Sequence, residues 1–76
     1  MSRSPSPAEW EALTAWWMAK RHIGRAATLL GRKRQTVANH LNTFRHLEDA
    51  TDTVELALRH LDEIERRKPD VLRKAA

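Results

Sequence analysis

Apolar residues recur at helical spacing in four segments of the chain, and nowhere do they alternate as a half-buried strand requires. The first segment opens with Ser6-Pro7-Ala8-Glu9. Ser6 can cap a helix, Pro7 suits its first turn, and Glu9 completes a capping box. A helix is expected near 7–20, with Trp10, Leu13 and Trp17 on one face, Trp16 and Met18 on its flanks, and the tryptophans assigned to the core. A second helix, near 23–30, brings Ala26, Ala27 and Leu30 to a close crossing and ends at Gly31, which suits a left-handed turn. A third, near 34–47, buries Val37, Leu41 and Phe44. The fourth, near 53–68, is capped by Asp52 with Glu55 reaching back. It turns Val54, Ala57, Leu58, Leu61 and Ile64 inward and stops before Pro69. The chain thus divides into a disordered tail over 1–5, one domain over 6–68 and a basic tail over 69–76. The expected fold class is all-α, with four helices.

Composition narrows the function. At 76 residues the chain has room for one domain and a small core. It has no Cys, so disulfide scaffolds, thiol catalysis and cysteine zinc sites are excluded. The longest run free of charge and strong polarity, Ala12 to Ala19, is far shorter than the roughly 20 residues of a membrane helix. No signal peptide is recognisable, so a cytoplasmic protein is expected, associated with the nucleoid when bound to DNA.

Charge changes the picture more than composition does. The net charge is +4, but it is segregated. Residues 20–46 carry Lys20, Arg21, Arg25, Arg32, Lys33, Arg34 and Arg45 and no acid. Residues 47–65 carry seven acids against Arg59 alone. A block of unopposed cations marks a surface for phosphates. Within it, Ala27 is small where two helices cross, Gly31 makes a tight turn, and Val37 and Leu41 key the third helix against Leu30. This is a helix-turn-helix pattern, with the third helix held proud for a major groove.

On that helix the face opposite Val37, Leu41 and Phe44 presents Gln35, Asn39, Asn42 and His46. Asn is a poor helix former, so an amide stripe is an unusual choice for a merely solvated face. Asn and Gln pair bidentately with adenine, and Ala38 beside them suits a thymine methyl. Phosphate contacts are expected from Arg25, Arg32, Lys33, Arg34, Thr36, Thr43 and Arg45. His22, His40, His46 and His60 lack metal-ligand spacing, so no metal and no cofactor is expected. His40 stands at the edge of the inner face, either packed or bonded to phosphate. No acid/base pair or nucleophile constellation is found, and no enzymatic activity or small-molecule substrate is expected.

Ser6 to Leu13, Thr36-Val37-Ala38-Asn39-His40-Leu41 and Thr51 to Leu61 together resemble the DNA-binding domain of LuxR/GerE-type regulators, a four-helix helix-turn-helix domain of about this length. The resemblance spans roughly 6–65; Fis-like and PucR-like helix-turn-helix groups are similar more weakly. It implies base contacts from Ala38, Asn39 and Asn42, a phosphate contact from Thr36, and dimerisation through the fourth helix. Arg32 stands where the family packs an apolar residue, and Lys33 where it caps the recognition helix with Ser or Thr. No sensor or receiver domain is expected ahead of the motif, nor gating by ligand or phosphorylation. Leu56 is placed opposite the inner stripe, and with Arg59 and Glu63 it is the expected dimer interface. The function expected is a sequence-specific double-stranded DNA-binding protein, a small bacterial or phage transcriptional regulator acting as a homodimer, with no membrane partner. The alternative is a helical assembly or adaptor module, such as a phage genome-packaging subunit.

Overall fold

A computed structural model describes residues 4–75, in which five helices and no strand are found. They are α1 (Pro7–Met18), α2 (Ile23–Leu30), α3 (Arg34–Leu47), α4 (Thr53–Arg59) and α5 (Leu61–Ala75). Of the N-terminal tail, residues 1–3 lie outside the described residues. The capping box of α1 forms as expected: Ser6 Oγ accepts from the Glu9 N–H, and Glu9 Oε1 accepts from the Ser6 N–H.

α1 is the central helix, packed against all four others. That changes its buried surface. The expected single face of Trp10, Leu13 and Trp17 is replaced by burial nearly all round, with Ala12, Leu13, Thr14 and Ala15 at 0% exposure and the three tryptophans half-buried around them. A helix enclosed by neighbours needs small or apolar residues on every side. Thr14 fits because its hydroxyl donates to the Trp10 carbonyl at 2.8 Å.

Three helices end by one device. In each, a residue in the left-handed region lets the next N–H reach back five residues to a carbonyl, the Schellman closure. For α1 the left-handed residue is Lys20 (φ 58°) and the bond runs from Arg21 N–H to Trp16 O at 2.8 Å. For α2 it is Gly31 (φ 63°), with Arg32 N–H to Ala27 O at 3.0 Å. For α3 it is Asp49 (φ 53°), with Ala50 N–H to Arg45 O at 2.9 Å. Arg21 is left-handed as well, at φ 66°.

The expected fourth helix is two helices. The break falls at His60, which has φ −123° and ψ 29°. Its ring is drawn into the core beside Trp10 at 5.0 Å and Phe44 at 5.7 Å between centroids, and its Nε2 lies 2.7 Å from the Glu48 carboxylate. The break resets the helical phase. Leu56 and Ala57 are buried from α4, and Ile64 and Val71 from α5. Leu58 and Leu61, expected inside, are 56% and 40% exposed. Leu56, expected outside, is at 0%.

α5 also runs through Pro69, where a helix end and a basic tail were expected. Proline removes one helical hydrogen bond. Beyond it Val71, only 1% exposed, packs in the core, and Lys74 Nζ lies 2.8 Å from Glu11 Oε2 of α1 as an ion pair. Asp52 caps α4 by accepting from the Glu55 N–H, while Glu55 reaches one residue further back than expected, to the Thr51 N–H at 2.6 Å. That N–H, and then Arg59, hold the Glu55 carboxyl below its ordinary pKa.

The left-handed closures generate a prediction of opposite signs. No atom comes within 4 Å of a Cβ built on Gly31, so the cost of Gly31→Ala is conformational. It is expected to destabilise by about 1 kcal/mol, while Asp49→Gly stabilises by roughly 0.5 kcal/mol. Urea unfolding of both variants checks the two signs.

Candidate nucleic-acid interface

α2 and α3 are joined by residues 31–33 alone, and α3 is fixed from behind by Val37, Leu41 and Phe44, all at 5% exposure or less. The Phe44 ring is met edge-on by Trp10, with centroids 4.8 Å apart. This leaves the opposite side of α3 to solvent. Gln35, Asn39, Asn42, Thr43 and His46 are exposed, while Thr36, Ala38 and His40 are half-buried.

The amide stripe divides into two parts. Gln35 Nε2 donates to Asn39 Oδ1 at 3.0 Å across one helical turn. The pair therefore keeps the Gln35 carbonyl oxygen as an acceptor and the Asn39 NH2 group as a donor, neither hydrogen-bonded to a described residue. The edge of adenine offers the complementary donor and acceptor. Lower on the helix, Asn42 Oδ1 accepts from Arg45 Nη2 at 3.1 Å, and the same nitrogen lies 3.1 Å from His46 Nε2.

Arg45 belongs to the frame more than to the surface. Its Nη1 donates to the Ala50 carbonyl at 3.1 Å, tying α3 to the turn before α4, and the side chain is half-buried. It was expected on phosphate; instead its guanidinium is engaged within the chain, and it holds Asn42 and His46 in place.

The other expected phosphate residues are placed differently. Arg25, Arg32, Lys33 and Arg34 are exposed, as are Lys20 and Arg21, and none forms an ion pair with a described residue. Every cation of α4 and α5 is paired: Arg59 with Glu48 and Glu55, Arg66 and Arg67 with Glu63, Lys68 with Glu65, Arg73 with Asp70, Lys74 with Glu11. The two arginines hold the Glu63 carboxyl below its ordinary pKa. Of the residues expected at a dimer interface, Leu56 is enclosed in the core, and Arg59 and Glu63 are committed to neighbours in their own chain.

At the start of α3 the charge goes uncompensated. Lys33 occupies the cap position without a side-chain hydrogen bond, and no acid lies in the first turn. Free N–H groups and the helix dipole add to the positive charge there. Beside it, a groove of about 670 Å³ is lined by Met18, Ala19 and Leu29 together with Lys20, His22, Arg25 and Arg34. Gly24 permits its shape, because a Cβ there would stand 3.2 Å from both Arg34 Nη2 and the His22 ring. His22 also caps α2, its Nδ1 accepting from the Arg25 N–H at 3.2 Å.

Lys20 and Arg21 were not among the expected phosphate residues. The acid-free charge block already included them; their left-handed backbone carries no Gly or Asn signal, and it is the groove shared with Arg25 and Arg34 that places Lys20 beside α2 and α3. Among the described residues no group of three His, Asp or Glu is arranged for a metal ion, and no helix is long and apolar enough to cross a membrane. Comparison with family models, curated proteins and solved structures finds no match to this chain.

The two kinds of arginine separate in stability. Arg45→Met, which removes hydrogen bonds from a charged donor, is expected to cost about 1.5–3 kcal/mol. Arg32→Met, on an exposed and unpaired side chain, is expected to stay within about 0.5 kcal/mol. Denaturant midpoints of the two variants measure the difference.

Proposed function

We propose that this chain is a sequence-specific double-stranded DNA-binding protein, a small transcriptional regulator in which α2, the turn at Gly31 and α3 act as a helix-turn-helix. The observation that carries the reading is the division of cations. Those of α4 and α5 are neutralised within the chain, while Lys20, Arg21, Arg25, Arg32, Lys33 and Arg34 are exposed and form no ion pair among the described residues, and Lys20, Arg25 and Arg34 line one groove. Unpaired cations repel one another and gain most when they meet a polyanion.

In this reading Gln35, Ala38, Asn39, Asn42 and His46 face base edges in the major groove. Arg25, Arg32, Lys33, Arg34, Thr36 and Thr43, joined by Lys20 and Arg21, meet phosphates. Arg45 positions Asn42 and His46. The resemblance of Thr36 to Leu41 to the recognition helix of LuxR/GerE-type regulators supports the same assignment, and α5 continues past residue 65, where the resemblance ends. The role is one of binding, without catalysis or cofactor, and its place is the cytoplasm, on the nucleoid. The second reading, a helical assembly module, is favoured by the exposed leucines Leu58, Leu61 and Leu72.

Fluorescence anisotropy on duplex DNA tests the proposal. With about 4–6 phosphates met per chain, log affinity should fall against log salt with a slope of roughly −4 to −5. Replacing Arg32 and Lys33 with Ala should weaken all sequences alike and flatten the slope by about 2. No binding at low salt, or an affinity indifferent to salt, refutes the reading.

Base reading is tested separately on the best site from a selection among random duplexes. Asn39→Ala should cost about 1–3 kcal/mol there and less on random DNA. Equal losses on both would make Asn39 a positioning residue.

A further inference from the structure

The groove beside the start of α3 has two kinds of wall. Its floor is apolar: Ala19 is buried, Met18 and Leu29 are half-buried, and all three line it. Its rim is cationic: Lys20, Arg25 and Arg34 are exposed, and their side chains form no hydrogen bond or ion pair with a described residue. Among the described residues no Asp or Glu lines it. Thr28, also on the wall, is already satisfied, its hydroxyl donating to the Gly24 carbonyl at 3.1 Å. The volume of about 670 Å³ lies within the roughly 300–1,000 Å³ of small-molecule sites.

A bare phosphate gains nothing from an apolar floor, and an uncharged hydrocarbon gains nothing from an unopposed cationic rim. We propose that this groove binds a small aromatic carboxylate, its ring on Met18, Ala19 and Leu29 and its carboxylate at the rim. The Met18 thioether is polarizable and favours contact with an aromatic ring. A guanidinium stacks on such a ring, and it takes a carboxylate through two parallel N–H bonds. Arg34 reaches back from α3 over α2: its Nη2 and the His22 ring each stand 3.2 Å from the place a Gly24 Cβ would occupy, so the two converge there. His22 Nδ1 accepts from the Arg25 N–H, so the neutral ring carries its proton on Nε2 and keeps a donor for the carboxylate. A fully hydrated carboxylate would gain little from any one of these cations. Seated beside an apolar body it sheds part of its water, and the attraction grows as the local dielectric falls.

The site draws on the end of α1, the α1–α2 turn, α2 and α3, so gating by ligand, not expected from the sequence, needs no separate sensor domain. The site itself stands without DNA. One consequence rests on the DNA-binding reading: the carboxylate competes with phosphates for Lys20, Arg25 and Arg34 and so releases the duplex.

The probe is 2-naphthoate, titrated into the labelled chain without DNA, with amide chemical shifts as the readout. Saturable shifts are expected in residues 18–25, Leu29 and Arg34, with a Kd of roughly 0.1–1 mM. The uncharged 2-naphthalenemethanol and inorganic phosphate should each bind at least about tenfold more weakly. An equal response to the alcohol removes the rim from the site, and an equal response to phosphate removes the floor; either overturns the proposal. Gly24→Leu, which sets a side chain where Arg34 and His22 converge, should abolish the shifts and keep wild-type helicity by circular dichroism. Arg34→Gln, at an exposed position, should weaken naphthoate about three- to tenfold, whether or not the first variant folds. Wild-type affinity in Arg34→Gln, or in a folded Gly24→Leu, overturns the site. With duplex DNA present, naphthoate at about ten times its Kd should weaken DNA binding roughly tenfold against the same concentration of acetate. Unchanged duplex affinity overturns the competition, while a chain that binds naphthoate and no duplex refutes the DNA-binding reading alone.

Discussion

The burial of Phe44 is the constraint on which the arrangement depends. Its ring, at 0% exposure, is where α3 meets the central helix through Trp10 and the α4–α5 junction through His60. Because Phe44, Leu41 and Val37 take the inward side of α3, the outward side is set without freedom to rotate. Gln35 and Asn39 are exposed for that reason. The same cluster breaks the chain at His60, and the break decides which leucines of the C-terminal helices are enclosed and which are free. The Arg67 guanidinium closes the cluster from outside, 4.9 Å from the Trp10 ring centroid.

Electrostatics then divides the molecule into a neutralised part and an unneutralised one. Surface ion pairs contribute little stability individually. Their consequence here is where they leave charge uncancelled: α4 and α5 consume their cations, and the α1–α2 turn, α2 and the start of α3 do not. The proposed recognition surface rests on this contrast together with the free donor and acceptor of the Gln35–Asn39 pair.

Much of the architecture was legible from spacing. The bounds of α2 and α3, the Ser6–Glu9 capping box, the Gly31 turn and the stripe of Val37, Leu41 and Phe44 all stand as expected, since each depends on contacts within a few residues or on one helical period. What was not legible depends on distant contacts. Nothing in Arg59-His60-Leu61 signals a break, because His60 is pulled inward by Trp10 of α1 and by Phe44 and Glu48 at the end of α3. Pro69 reads as a stop, but Val71 and Lys74 find partners that carry the helix past it. Lys20 and Asp49 close helices in the left-handed region where Gly is the usual signal. For the candidate interface, the charge block located the cations, but only the folded chain separates Arg45, spent on Ala50 and Asn42, from Arg32 and Lys33.

The central claim is that nucleic acid meets one end of this molecule, the α1–α2 turn, α2 and the outer side of α3. The most direct measurement is amide chemical-shift mapping by NMR as duplex DNA is titrated into labelled protein at low salt. The account predicts shifts concentrated in residues 20–46, largest around Arg32 to Asn39, with α4 and α5 little changed. Shifts centred on the acidic stretch of 48–65, or none at saturating DNA, would contradict it.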